Sequence, residues 1–349
     1  MSGARPRPKE MGDSVRRDIV YLTVTLAVVA LATIAQAQEQ KQEQKQEQNY
    51  PNHPVHILAA AAPGGNPDVL ARLLSQRLSD ILGQPFVVEN VPGAGGILAA
   101  KRIADAAPDG YTLMLNDSGA LAININMSPE ATYKLKDFTP ITALATVPTA
   151  LVIIPSVPAN NLSEFIALAK SKPDAMSYGS AGAGSIHHLT MEIFAERTGI
   201  KLLHVPYRGG SALVNGLLTG EIQAGWSGLP NVISHINAGK LRGLCVSVLK
   251  RAVSLPDVPT CDELGIKGFD IADMLGLQGP AGTPVKAVER LQVAIAKTMR
   301  EPAMAERMAI LGMDMQENGT ANYVRFMQDD LDRYAKVIDR LGLSRKVSK

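Results

Sequence analysis

The chain has 349 residues, of which 46% are hydrophobic, 19% charged and 4% aromatic, and its formal net charge at pH 7 is +2. This length accommodates two domains with cores of ordinary size, and the composition is that of a globular protein, which excludes a disordered or membrane-embedded chain. The nearly neutral charge and the lack of a basic aromatic cluster argue against nucleic acid as a partner.

Residues 1–37 have the pattern of a secretory signal peptide. The pair Arg16-Arg17 precedes an apolar run over 19–34, and this run ends in Ala35-Gln36-Ala37. A basic start, a short apolar core and a small-residue cleavage site are typical of such signals, and the run is shorter than the roughly 20 residues of a membrane-spanning helix. We therefore expect export to an oxidising compartment and a mature chain from near Gln38. An uncleaved N-terminal anchor is the alternative.

The segment 38–49 consists of glutamine, glutamate and lysine up to a final asparagine. Such a segment has no apolar residue to bury, so it predicts a disordered spacer. The folded region is expected to begin near Tyr50.

Short apolar runs and amphipathic helices alternate over the next hundred residues. A strand over 56–59 leads into the turn Pro63-Gly64-Gly65. Asn66 is the predicted N-cap of the helix that follows, and Gly83 is expected to end that helix. The further predicted elements are strands over 86–88 and 112–115 and a helix that follows the glycine-rich 92–96 and ends at 104.

The same alternation resumes after Thr149, and the last stretch of the chain is helical. The predicted strands are 151–154, 176–179, 202–205, 222–226 and 241–248. The predicted helices are 162–170, one from the second glycine turn to 198, 212–218, 231–238, 284–299, 303–311 and 321–341. Strands separated by helices of this length predict an α/β fold with mostly parallel sheets flanked by helices.

The pattern predicts two lobes. Lobe 1 comprises 50–149 and 271–349, and lobe 2 comprises 150–270. The chain would cross between them near Thr149 and over 271–277, which gives the discontinuous domains of a hinge-closing binding protein.

Two glycine-rich turns open helices about 120 residues apart, at 63–68 and at 182–188. A helix start has free backbone N–H groups and a partial positive charge, so it can hold an anion. Two such sites indicate that the lobes hold one small anion between them, although each turn could be a simple strand-to-helix connection. The segment 92–96 lacks both nucleotide-loop patterns and is interpreted as a structural turn.

Ser185 and the histidines after it suggest a nucleophile and base, but the sequence has neither a Gly-x-Ser-x-Gly elbow nor an evident carboxylate to orient a histidine. Ser185 is therefore interpreted as a helix cap or ligand donor, and His188 as a packed, hydrogen-bonded residue. Trp226 at a strand end is predicted to form part of a ligand wall, with a core position as the alternative.

The two cysteines, Cys245 and Cys261, could form a disulfide after export or could be free core residues. No group of histidine, cysteine and carboxylate residues has metal-ligand spacing. We expect neither a metal nor another cofactor.

The chain resembles the Bug family, the extracytoplasmic solute-binding receptors of tripartite tricarboxylate transporters, over about residues 50–343. The resemblance depends on an ordered set of segments, none of which is decisive alone. They are Pro63-Gly64-Gly65 with Asp68, 88–90 with 92–96, 107–113, 180–182, 184–185, 188–189, 204–207, 238–242, 255–260 and 280–284.

This resemblance implies a two-lobed periplasmic-binding-protein (Venus flytrap) fold and a non-enzymatic receptor for a small organic anion. The ligand would be held by backbone and hydroxyl donors of the two turns, with ordered water. The receptor is expected to be a monomer that serves large and small membrane permease subunits. The implied ligand-binding positions are Pro63, Gly64, Gly65, Asn66, Asp68, Ser118, Gly184, Ser185, Ile186, His187, Tyr207, Trp226 and Ser227.

Some positions depart from the family pattern. Alanines at 59–62 replace bulkier residues before the first turn, which should enlarge the cleft or leave it less aromatic. Ser227 lies where aspartate is common, and Met274-Leu275 lies where Trp-Phe is common, so the ligand cannot be inferred from the resemblance. An exported hydrolase that uses Ser185 and a histidine, or a ligand sensor that docks on a signalling protein, are the alternative functions.

Overall fold

A computed structural model describes residues 50–316 and 319–343, except for the side chain of Ser118. The predicted signal peptide and spacer, 1–49, lie outside these described residues. Among the described helices, none is both long enough and apolar enough to cross a membrane.

The strands and helices follow the predicted alternation closely. The strands are β1 Val55–Ala59, β2 Phe86–Asn90, β3 Thr112–Asp117, β4 Phe138–Ile153, β5 Ser177–Ser180, β6 Leu203–Pro206, β7 Ala224–Gly228, β8 Arg242–Val246, β9 Ala272–Pro280 and β10 Asp314–Met315. The helices are α1 Asn66–Leu82, α2 Ile97–Ala104, α3 Ser118–Met127, α4 Leu162–Ser171, α5 Ile186–Thr198, α6 Gly210–Leu218, α7 Leu229–Asn237, α8 Val285–Met299, α9 Pro302–Ile310 and α10 Thr320–Arg340.

Two sheets share strand β4. The strand order is β2-β1-β3-β9-β4-β7-β5-β6, and β8 and β10 also pair with β4. The pairs of β1 with β2 and β3, and of β5 with β6 and β7, are parallel, as the α/β alternation predicts. All pairs made by β4 and β9 are antiparallel, so the sheets are mixed where the sequence predicts mostly parallel strands.

Strand β4 changes partner in its middle. Pro148 is opposite Ala272 of β9, whereas Thr149 is opposite Gly228 of β7. A buried hydrogen bond of 2.8 Å joins Thr149 Oγ1 to Ser247 Oγ at this point. A single strand therefore belongs to both sheets and carries the chain from one to the other.

Helix α10 contributes to two apolar clusters. Its first half places Tyr323 and Met327 in a cluster with residues of β1, β3 and α2. Its second half places Tyr334 and Ile338 in the larger cluster that includes β5, β7 and α5. The C-terminal helix therefore packs against elements of both predicted lobes, whereas the sequence prediction assigned all of it to lobe 1.

Helix α3 was missed by the sequence prediction. Asp117 caps it, because its Oδ1 accepts hydrogen bonds from the backbone N–H groups of Gly119 (2.8 Å) and Ala120 (3.2 Å). Apolar residues occur all around this helix, and Asn124 donates from Nδ2 to the Gly95 carbonyl oxygen at 2.8 Å. Burial on several sides removes the amphipathic pattern by which sequence reasoning recognises a helix.

Cys245 and Cys261 form a disulfide, one of the two alternatives that the sequence left open. Their Cα atoms are 5.3 Å apart and 16 positions separate them. The bridge closes the loop after β8.

We expect the free energy of unfolding to fall by about 3 kcal/mol when both cysteines are replaced, because a closed loop of roughly 15 residues restricts the unfolded chain to this extent. Urea unfolding of the oxidised protein and of the Cys245→Ala/Cys261→Ala variant measures the difference. Two titratable thiols in the native protein, purified without reductant, would contradict this assignment.

Candidate ligand-binding cleft

The two glycine turns that the sequence predicts as anion sites lie at the edge of one common cleft. The first leads from β1 into α1, and the second leads from β5 into α5. The space between the cleft walls, counted together with the open solvent at its mouth, is about 560 Å3. Its lining residues are Ala60, Ala61, Ala62, Gly65, Asn66, Pro67, Pro92, Gly93, Gly95, Gly96, Asp117, Ala120, Ala181, Ser185, Ile186, His187, Arg208, Gly209, Gly210, Asn231 and Asp273.

A third glycine-rich turn, 92–96, also belongs to the cleft, although the sequence prediction treated it as structural only. Gly95 has a φ of +61°, and a Cβ added there would lie 2.8 Å from the Ala183 carbonyl oxygen. Only glycine allows this backbone to approach the second turn so closely. The turn is therefore both a structural contact and part of the cleft wall.

The predicted site residues divide into three groups. Gly65, Asn66, Ser185, Ile186 and His187 line the cleft. Pro63, Gly64, Asp68 and Gly184 belong to the same turns but do not line it, and Tyr207, Trp226 and Ser227 lie elsewhere. The backbone of Ser118 begins α3, directly after the cleft residue Asp117.

Asn66 is not the N-cap of α1, contrary to the sequence prediction. Gly65 occupies that position, and the side chain of Asn66 makes tertiary hydrogen bonds instead. Its Nδ2 donates to Asp273 Oδ2 at 3.1 Å, and its Oδ1 accepts from Asn231 Nδ2 at 3.2 Å. The side chain is thereby fixed at the first turn of the helix.

Asp68 holds the first turn in place. Its carboxylate accepts hydrogen bonds from the Gly64 backbone N–H (2.8 Å), Arg72 Nε (2.9 Å) and Asn90 Nδ2 (2.9 Å). These donors satisfy both carboxylate oxygens, so the geometry gives Asp68 a positioning role.

The second turn rests on a stack of aromatic rings. Ser185 Oγ caps α5 by accepting from the His188 backbone N–H at 3.3 Å, which is one of the two roles that the sequence left open for it. The His188 ring lies 4.1 Å from that of His204, which in turn lies 4.8 Å from the ring of Tyr178. Burial lowers the pKa of His188 to about 4, so its ring is neutral at pH 7. His188 is packed and hydrogen-bonded, in agreement with the sequence prediction.

Trp226 lies in the core, which is the alternative that the sequence left open. It is fully buried, with its ring 5.4 Å from that of Phe269 and 5.7 Å from that of Phe194. Ser227 is also fully buried, and the ring of Tyr207 packs against α6. The structure therefore places none of these three on the cleft wall: Trp226 and Ser227 belong to β7, a central strand covered by helices, and the ring of Tyr207 is turned against α6.

Two cleft carboxylates, Asp117 and Asp273, were missed by the sequence prediction. Asp117 ends β3, and the carboxyl end of a strand is where open α/β sheets bind ligands. Asp273 is a single acidic residue in the apolar strand β9. The sequence marks Asp117 by its place at the end of a strand and Asp273 as a single acidic residue among apolar ones. Only the fold, however, brings the two residues to one cleft.

Burial determines the protonation of the ionisable groups at the cleft. It raises the pKa of Asp117 to about 7, with a smaller contribution from Asp330, and it raises the pKa of Asp273 well above its usual range, with a contribution from Asp117. Burial also lowers the pKa of His187 to about 4. His187 Nε2 lies 3.7 Å from Asp273 Oδ2, so a neutral imidazole faces a carboxyl group for which ionisation is unfavourable.

The chain is similar to a protein-family model, to a curated protein and to solved structures. The family model of the tripartite tricarboxylate transporter family receptor matches residues 70–343. The curated protein BugT of Bordetella pertussis is 35% identical over 85% of this chain and 92% of its own length. The solved periplasmic binding protein BugD is 30% identical with a TM-score of 0.81, covering 85% of this chain and 100% of its own. The solved R. palustris protein Rpa4515 with adipate is 29% identical with a TM-score of 0.82, covering 84% and 99% respectively.

The raised pKa of Asp117 leads to a prediction of how the free energy of unfolding depends on pH. Between about pH 4 and pH 7 the unfolded chain loses the proton that the folded chain keeps, so this residue lowers the free energy of unfolding as pH rises through that window. Asp117→Asn keeps the capping oxygen and removes the titration. We expect its stability relative to the parent to be greater at pH 8 than at pH 5, by roughly 2–3 kcal/mol, because pH 5 lies about two units below the folded-state pKa of about 7. Urea unfolding at the two pH values measures this, and a difference independent of pH would contradict it.

Proposed function

The chain belongs to the tripartite tricarboxylate transporter receptor family, and from that premise we propose that it is an extracytoplasmic receptor that binds a small carboxylate in the cleft. The observation that carries this proposal is that the starts of α1 and α5, with Gly65, Asn66 and Ser185, line one cavity. Free N–H groups and the helix dipole at each start favour a bound anion. The solved relative with adipate supports the same ligand class.

The proposal assigns different roles to the predicted site residues. Gly65, Asn66, Ser185, Ile186 and His187 would contact the ligand because they line the cleft. Pro63, Gly64, Asp68 and Gly184 would shape the turns. Backbone and hydroxyl donors would supply most of the binding, since each charge-assisted hydrogen bond contributes roughly 1.5–3 kcal/mol when desolvated.

We further propose that lobe 1 (50–149 and 271–349) and lobe 2 (150–270) close around the ligand. Two of the hydrogen bonds between them lie at the first glycine turn: Ser211 Oγ donates to the Pro63 carbonyl oxygen at 2.8 Å, and Asn231 Nδ2 donates to Asn66 Oδ1 at 3.2 Å. A ligand that contacts both lobes favours the closed state, in which all these contacts exist. The closed, monomeric receptor would deliver its ligand in the periplasm to large and small permease subunits.

The role of Ser185 in this proposal is to cap a helix, not to act as a nucleophile. Its Oγ accepts from the His188 backbone N–H, and His188 Nδ1 is itself an acceptor of the Gly184 N–H at 3.4 Å. An assay with simple ester substrates tests the difference, because hydrolysis that Ser185→Ala abolishes would contradict the receptor proposal.

Ser185→Asp places a fixed negative charge at the α5 start, and we expect at least about a tenfold loss of affinity for a bound carboxylate, roughly 1.4 kcal/mol. Calorimetric titration measures this, with a dicarboxylate panel that includes adipate. Asn161→Asp is the matched control, because Asn161 also caps a helix, α4, but does not line the cleft. Equal binding by the parent and Ser185→Asp, or binding of neutral sugars alone, would contradict the site assignment.

Lobe closure predicts a smaller radius of gyration with bound carboxylate than without it. Small-angle scattering of the protein, alone and with a dicarboxylate shown by calorimetry to saturate it, measures the change. An unchanged profile at saturation would contradict the hinge, while leaving the ligand class intact.

A further inference from the structure

Ser247 joins the two segments through which the chain passes between the sheets. The chain leaves the first sheet at Thr149, within β4, and returns to it at Ile271, directly before β9. The backbone N–H of Ser247 donates to the Thr149 carbonyl oxygen at 2.9 Å, and the Ser247 carbonyl oxygen accepts from the Ile271 N–H at 2.7 Å. A single residue, directly after β8, is therefore tied to both crossings.

The hydroxyl group of Ser247 makes three further hydrogen bonds to the same two residues. Its oxygen accepts from the Thr149 backbone N–H at 3.2 Å and lies 2.8 Å from Thr149 Oγ1, and its proton goes to the Ile271 carbonyl oxygen. Because a hydroxyl has one proton, Thr149 Oγ1 is the donor in the bond between the two hydroxyls. The fully buried Ser247 oxygen thus uses its donor and both of its acceptor positions.

The disulfide braces Ser247 from within lobe 2. Cys245 lies two positions before Ser247, and Val246 between them is bonded on both sides to the loop that the disulfide closes. The Val246 N–H donates to the Pro259 carbonyl oxygen at 2.9 Å, and the Val246 carbonyl oxygen accepts from the Cys261 N–H at 3.0 Å. Ser247 is therefore fixed to lobe 2 as well as to the two crossings.

This position is one at which hydrogen bonds restrict the orientation of the lobes. Hinge motions are absorbed by a few residues at the ends of elements, and Ser247 and Ile271 lie at such ends. Bonds that tie the crossings together reduce the number of lobe orientations that the ligand-free receptor can adopt. A receptor with fewer orientations loses less conformational entropy on closing, so it binds a ligand that contacts both lobes more tightly.

We propose that Ser247 is the pivot of the hinge, and that its hydroxyl group, together with that of Thr149, raises the affinity for ligand by holding the two crossings together. Neither residue lines the cleft, so both are positioning residues and act through the lobes. This inference rests on the proposed function, because it assumes that the lobes close around a carboxylate.

The affinity test is calorimetric titration of the mature chain with adipate, or with succinate or malate if one of these binds the parent more tightly. We expect Ser247→Ala to raise the dissociation constant at least about threefold, because a smaller fraction of the ligand-free receptor is then competent to bind. Thr149→Val removes one hydroxyl, keeps the side-chain shape and should also raise the dissociation constant. Thr149→Ser restores the hydroxyl and should keep the parental value.

Thr298→Val is the matched control. Thr298 is also fully buried, and its Oγ1 donates to the Ala294 carbonyl oxygen at 3.0 Å, but this bond lies inside α8. The variant should lower the free energy of unfolding and leave the dissociation constant unchanged. Circular dichroism and thermal melting establish that each variant is folded, and the two Thr149 variants decide the question if Ser247→Ala is not.

Small-angle scattering adds a readout that a merely structural role would not move. Ligand-free Ser247→Ala should have a larger radius of gyration than the ligand-free parent, because its lobes are held less firmly. At ligand saturation the two proteins should have the same radius of gyration, since the bound ligand then fixes the lobes.

The outcomes separate this inference from the proposed function. If the parent binds and compacts, while Ser247→Ala and Thr149→Val bind as tightly as the parent, the inference is overturned and the receptor proposal stands. An equal loss of affinity in Thr298→Val also overturns it, and so does a loss in Thr149→Ser that equals the loss in Thr149→Val. If no carboxylate binds the parent, the receptor proposal fails and this inference fails with it.

Discussion

The antiparallel ladder between β4 and β9 is the constraint on which the rest of this architecture depends. It joins two parallel units, one formed around β1 and the other around β5, through a strand that belongs to both sheets. Because the carboxyl ends of the parallel strands lead into the two glycine turns, the ladder determines where those turns meet. It also brings Asp273, a residue of β9, to the cleft.

Close backbone contact gives the cleft its shape. The turn at 92–96 packs against the turn at 182–185, and Gly95 allows an approach to Ala183 that a side chain would prevent. The alanines at 60–62 line the same cavity, so small residues enclose it on more than one side. The cleft wall therefore offers a ligand only a few polar groups, because the residues around them are small and apolar.

The cleft combines two opposing electrostatic features. The helix starts favour an anion, whereas Asp117 and Asp273 disfavour one when ionised. Their raised pKa values and the neutral state of His187 have the same cause, which is burial without a compensating charge. A receptor can keep such an arrangement when a bound ligand supplies hydrogen-bond partners to the buried groups that lack them, as Asp273 Oδ1 and the ring nitrogens of His187 do among the described residues.

The sequence by itself determined the α/β alternation, the positions of most helices and strands, the family and the two helix starts, because these depend on local periodicity and on turn residues such as Gly83 and Ser185. It did not determine helix α3, the membership of β4 in both sheets, or the burial of Trp226, since these depend on which surfaces pack together. Nor did it determine the disulfide, which requires Cys245 and Cys261 to be neighbours in space. Only the tertiary structure decided that Asn66, His187 and Asp273 meet at one point: no local pattern relates residues that are 207 positions apart in the chain, as Asn66 and Asp273 are.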